Sequence, residues 1–148
     1  MPSVRDNLRQ RMTPTLLLRI ASGLAMLHSI LHTVGGVFAT PAPGSQAATL
    51  AIMHANQFQV MGMTRSYADF YLGFGLFVTV ALAVEAVVFW QLGTLAKSNS
   101  IQLRPILASF VAAYLGYAAI ASMYFFAPPA IIELLIAAVV GLAIAKSK

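Results

Sequence analysis

Four apolar stretches, each long enough to cross a lipid bilayer, dominate this chain and limit what it can fold into. Residues 14–38, 68–91, 103–126 and 129–145 carry charge only at Arg19, Asp69, Glu85, Arg104 and Glu133. At about 1.5 Å per residue, even the shortest run covers about 25 Å, which matches a hydrocarbon core. The runs are too long for membrane strands, and backbone groups in lipid are satisfied only inside helices or closed barrels. An all-α membrane protein follows, with residues 1–148 forming a single four-transmembrane-helix bundle. Composition agrees. Only 9% of the 148 residues are charged and 59% are hydrophobic, whereas a soluble domain carries roughly 25% charged residues. The net charge of +5 does not point to nucleic acid, because no basic cluster is interleaved with aromatic residues on a polar stretch. The chain has no cysteine, which excludes disulfides, thiolate metal sites and thiol redox chemistry.

The ends of the runs are marked. Thr13 before Pro14 reads as an N-cap followed by proline at the first helical position. Pro128 and Pro129 separate the third and fourth spans. The first run follows Arg5, Arg9 and Arg11 as a signal peptide would, but it exceeds the roughly 7–15 residues of such a segment. It is expected to remain as a helix. The N-terminal region holds Arg5, Arg9, Arg11 and Arg19, the second connection Lys97 and Arg104, and the tail Lys146 and Lys148. Only Arg65 falls on the other side, so both termini are expected in the cytoplasm, N-in and C-in. In the external loop, residues 41–64, Ser45 is expected to cap a short interfacial helix reaching about residue 60, with Leu50, His54, Gln57 and Met61 on one face.

Helices in lipid associate through small residues that let backbones approach. Ala108, Ala112, Gly116 and Ala119 form such a stripe in the third span, and Ala137, Gly141 and Ala145 form one in the fourth. The first span offers Ala21, Ala25, His28, His32 and Gly35. These stripes are expected to meet inside the bundle, or else to join copies of the chain in a homo-oligomer.

Ionisable groups in a bilayer are costly and each invites a functional hypothesis. His28 falls near the midplane, and His32 lies about 6 Å further out on the same face. Asp69 and Tyr71 open the second span, Tyr124 closes the third, and Glu133 lies about 6 Å inside the fourth. His28, His32, His54, Asp69, Tyr71, Tyr124 and Glu133 are therefore the expected ligand-binding group, in the outer half of the bundle. Histidine beside carboxylate makes an acid–base pair near neutral pH, and tyrosine adds a donor. The plainer reading is that the histidines tie helices together. Arg65 and Asp69, at i and i+4, are expected to form a structural ion pair. Glu85 is either a hydrogen-bonded structural group or a proton carrier. Arg19 is expected to snorkel to headgroups, and Tyr114 and Tyr117 either line a pocket or pack. His28, His32 and Glu133 or His54 have a ligand-compatible spacing for zinc, but the glutamate of a HExxH pair is missing and no metal is assigned. Two histidines on one helical face cannot ligate both sides of a haem, and no cofactor is assigned.

The run Leu18-Arg19-Ile20-Ala21-Ser22-Gly23-Leu24 resembles the opening of DoxX-like bacterial four-helix membrane proteins. The more distinctive stretch, Arg65-Ser66-Tyr67-Ala68-Asp69-Phe70-Tyr71-Leu72-Gly73-Phe74-Gly75-Leu76, is similar to a family of small bacterial inner-membrane proteins. The resemblance implies a four-helix fold in a bacterial plasma membrane and brings no activity, cofactor or site residue with it. The leading functional expectation is binding of a small lipophilic ligand in the outer half, with chemical alteration of that ligand left open. The alternatives are a structural or accessory membrane subunit and a proton-coupled small transporter. Expected partners are membrane lipid, that ligand and a second copy of the chain.

Overall fold

A computed structural model describes residues 12–148; Arg5, Arg9 and Arg11 lie outside them. Among the described residues are five helices, α1 (Pro14–His32), α2 (Ser45–Ala55), α3 (Tyr67–Asn99), α4 (Arg104–Tyr124) and α5 (Ala127–Lys146). A hairpin of β1 (Gln57–Val60) and β2 (Met63–Ser66) precedes α3. Four of the helices are long and apolar enough to cross a membrane. Only 17% of the most apolar window of α3 is buried within the protein, so most of that surface is suited to lipid.

Local chemistry explains where these elements start and stop. Thr13 Oγ1 accepts the Leu16 N–H at 3.2 Å, so Thr13 caps α1 as its sequence implied. After His32 the helix widens into a π turn over Thr33–Val37, where Phe38 N–H reaches back to Thr33 O at 2.9 Å. Helix α2 is shorter than expected. Gly44, at φ +93°, holds the position before it, and Ser45 is its first residue rather than its cap. The chain turns to extended backbone at Asn56 and forms the hairpin, which takes Gln57 and Met61 off the helical face assigned to them. Met61 and Gly62 link the strands with φ +47° and +79°, the positive values that a tight two-residue hairpin turn requires. Phe58 packs on Tyr67 and Phe70 at ring distances of 5.0 and 5.5 Å, contacts that an isolated two-stranded ribbon needs.

The N-terminus of α3 is capped reciprocally. Asp69 N–H donates to Ser66 Oγ at 3.2 Å, while the Asp69 carboxylate accepts the Ser66 N–H at 2.7 Å. The helix then runs on to Asn99, so Lys97 sits in its last turn and not in a connection.

The chain packs as two units, and α1 and α3 contribute residues to each. Among the described residues the first comprises 12–28 together with Ala83–Lys148. Leu17, Leu18, Ala21 and Ala25 of α1 join its core with Ala86, Phe89, Leu92 and Ala96 of α3, Leu107 and Tyr114 of α4, and Ile136, Ala137, Val140 and Ala143 of α5. Gly93 allows a close approach, since a Cβ there would lie 3.3 Å from Thr15 O. Ser100 Oγ donates to Lys148 O at 3.1 Å, which joins the α3–α4 connection to the C-terminus. Arg19 reaches Thr94 Oγ1 at 2.9 Å near that end. Arg19, Lys97, Arg104, Lys146 and Lys148 therefore gather at one end of this unit.

Two of the small-residue stripes do not lie wholly inside the bundle. Ala108, Ala112, Gly116 and Ala119 are all exposed, and α4 buries Leu107, Tyr114, Ala118 and Ala121 instead. At about 100° per residue, 107, 114, 118 and 121 share one face, and the stripe of 108, 112, 116 and 119 lies roughly 140° round the helix from it. In α5, Ala137 is buried, Gly141 half-buried and Ala145 exposed. In α1, Ala21, Ala25 and His28 are buried, His32 is half-buried and Gly35 exposed.

The second unit, Ser29–Leu82, holds the end of α1, helix α2, the hairpin and the first half of α3. Ser29 Oγ donates to Thr79 O at 3.0 Å, and Thr33 Oγ1 meets Thr79 Oγ1 at 3.0 Å. A Cβ at Gly75 would come 2.9 Å from Val37 Cγ2, while one at Gly73 would meet nothing. Gly75→Ala is therefore expected to melt below Gly73→Ala in detergent, by the equivalent of about 1 kcal/mol. Helix propensity changes alike in both variants, so the difference reports the packing; equal melting would remove the Val37 contact as a constraint.

Candidate functional site

Each of four helices brings an ionisable side chain to the interior of the first unit: His28 on α1, Glu85 on α3, Tyr114 on α4 and Glu133 on α5. The buried faces place them there. Tyr114 continues the Leu107–Ala121 face of α4, Glu133 shares its face with Ala130, Ile136, Ala137 and Val140, and His28 follows Ala21 and Ala25. Tyr114 is fully buried at the centre of its helix.

The residues form two pairs. The Tyr114 hydroxyl donates to Glu85 Oε2 at 2.5 Å, and its ring packs between Phe89 at 5.8 Å and Tyr117 at 5.7 Å. His28 Nδ1 lies 3.1 Å from Glu133 Oε1, with side chains only 11% and 7% exposed. That separation suits a hydrogen bond, but the direction does not: Nδ1 has no aligned partner. The two side chains are thus in close contact without a formed hydrogen bond. Glu133 Oε2 is also buried without a hydrogen-bond partner. Tyr114 packs in one core with Ile136 and Ala137, which stand one turn beyond Glu133 on α5.

Chemically, this is an acid–base group in an apolar setting. Imidazole beside carboxylate can pass a proton, and each buried polar atom left without a partner costs about 1–3 kcal/mol. Tyr114 and Glu85 satisfy one another. His28 and Glu133 retain unused capacity.

The other expected site residues have different roles. In the second unit, His32 Nε2 lies 3.1 Å from Gly75 O, a tie between helix segments. His54, in the last turn of α2, is exposed. Asp69 serves the cap at Ser66 and not an ion pair with Arg65. Arg65 belongs to β2, so helical i, i+4 spacing does not apply to it; its guanidinium donates to Thr64 O at 2.9 Å. Tyr71 is exposed, and in the first unit so is Tyr124, at the end of α4. Among the described residues no three His, Asp or Glu side chains are placed to hold a metal ion.

Glu85 is not isolated, and its partner Tyr114 was missing from the expected site. The available signal was depth, since both residues sit near the middle of long apolar helices. Arg19 is likewise more than a snorkelling cation: its guanidinium lies 3.2 Å from the centroid of the Trp90 ring. Tyr114→Phe is expected to destabilise the protein by about 1–3 kcal/mol, because Glu85 loses its donor. In a Glu85→Leu background the same change should cost much less, a coupling that a double-mutant melting cycle measures.

Comparison with protein-family models, with curated proteins and with solved structures finds no match to this chain.

Proposed function

We propose that this chain is a multi-pass protein of the bacterial inner membrane that binds a small lipophilic molecule within the first unit, at His28, Glu85, Tyr114 and Glu133. One observation carries the reading: His28 Nδ1 and Glu133 Oε2 are buried in an apolar interior without hydrogen-bond partners. A membrane helix gains nothing from such groups unless something satisfies them. A molecule arriving from the lipid phase with a polar group is a suitable partner. The same acid–base pair is equipped to move a proton to or from the bound molecule, which is how binding would extend to chemistry.

The orientation we propose has both termini in the cytoplasm. It is supported by the five cations that gather at one end of the first unit, as the positive-inside rule requires of a cytoplasmic face. Helix α2, with exposed Ile52 and tethered between two spanning helices, is proposed to lie in the opposite interface. The resemblance of residues 18–24 and 65–76 to DoxX-like proteins supports the bacterial plasma membrane as the location.

A structural or accessory role is the second reading. It is favoured by the His32–Gly75 contact and by Ser22, which donates to Ala86 O at 2.7 Å, since both are ties between helix segments.

Two measurements test these proposals. Solvent extraction and mass spectrometry of the gently purified protein should recover a small lipophile from the wild type and much less from Glu133→Gln at equal folded yield. Equal recovery from both would favour the structural reading. Because the chain lacks cysteine, single replacements can be labelled cleanly. Lys97→Cys and Lys148→Cys should stay unreactive to an impermeant maleimide in intact cells, while Met61→Cys should react; the opposite pattern would invert the topology.

A further inference from the structure

The unused atoms of the first unit also define which chemical group they can accept. Glu133 Oε2 is a buried acceptor, and His28 Nδ1 is a buried ring nitrogen with no aligned partner. The other carboxylate oxygen, Oε1, is 3.1 Å from that nitrogen, so both unused atoms lie within reach of one small group. A hydroxyl both donates and accepts, and it can complete the two together. A ligand carbonyl or ether only accepts, and beside an ionised Glu133 it would leave Oε2 unsatisfied.

The surroundings indicate what carries the hydroxyl. Phe110, Phe89, Tyr114 and Tyr117 form a continuous series of rings, with successive centroids 4.8, 5.8 and 5.7 Å apart. Tyr114 is wholly buried and packs in one core with Ile136 and Ala137, one turn beyond Glu133 on α5, while Tyr117 is 43% exposed. The series thus runs from the exposed surface of α4 into the core beside the helical turn that carries Glu133. Tyr117 offers a ring edge or face to a molecule entering sideways from the bilayer.

Building on the ligand-binding reading above, we propose that the ligand is a lipophilic phenol or aromatic alcohol, whose hydroxyl donates to Glu133 Oε2 and accepts from His28 Nδ1 while its ring packs along Tyr114 and Tyr117. Tyr114 is committed to Glu85, so it provides a wall and not the recognition. His28 and Glu133 discriminate the hydroxyl.

The test compares tritiated para-octylphenol with its O-methyl ether on the full-length protein in lipid nanodiscs, with empty nanodiscs subtracted. The phenol should be retained at least about tenfold more tightly than the ether, since a site built around a hydroxyl rejects the analogue lacking it. In Glu133→Leu that preference should disappear, and circular dichroism and melting establish that this variant is folded. If it does not fold, the wild-type comparison of phenol with ether still decides the outcome. Equal retention of phenol and ether by the wild type, as when a water molecule completes the pair, overturns hydroxyl recognition but leaves lipophile binding standing. Retention of neither above empty nanodiscs overturns this inference, while the extraction experiment still judges the broader reading. A preference that survives in folded Glu133→Leu overturns the assignment to Glu133.

Discussion

The absence of water from the hydrocarbon core means that each polar group there needs a partner from the protein itself or from a guest molecule. Most polar groups in this structure follow that rule closely. Ser22 and Ser29 on α1 donate to carbonyls of α3, Thr33 and Thr79 meet hydroxyl to hydroxyl, and His32 lies against Gly75 O. Thr13 and Ser66 cap the helices at whose starts they stand. Tyr114 serves Glu85. Among the described residues three buried side-chain atoms lack a partner, Arg19 Nη1, His28 Nδ1 and Glu133 Oε2; the last two lie together, and their chemistry directs the functional reading toward a guest molecule.

The same requirement explains how α1 and α3 are matched. Within the first unit Gly93 lets the α1 backbone approach α3, and Ser22 adds a bond close by. Within the second unit Gly75 does the same for Val37, with its carbonyl turned to His32. Small residues and short polar side chains work together, because a hydroxyl can reach a neighbouring carbonyl only where the backbones are close. The exposed stripe of Ala108, Ala112, Gly116 and Ala119 shows that small residues alone do not establish an internal contact.

Several features were legible in the residue order for direct physical reasons. Unbroken apolar length marks a spanning helix, and the four runs correspond to α1, α3, α4 and α5. Thr13–Pro14 marked a helix start because capping is local chemistry. Local signals failed where they competed. The segment after Ala55 carries both a helical spacing of Leu50, His54, Gln57 and Met61 and a strand-like alternation of Phe58 and Val60. The ring contacts of Phe58 with Tyr67 and Phe70 favour the strand, and they depend on residues beyond the segment. The Arg65–Asp69 spacing misled for a related reason, since the helix begins only after Ser66.

What the sequence determined alone is the medium and the scale: apolar runs of bilayer length, few charges, and polar residues placed where they must be satisfied. Those properties depend on composition and on contacts a few residues apart. Only the tertiary structure decided the partners. It joins His28 to Glu133 across 105 positions and Tyr114 to Glu85 across 29, pairings set by the rotation of each helix about its axis. That rotation is decided by the packing of the buried faces, and a stripe of small residues does not reveal it in advance.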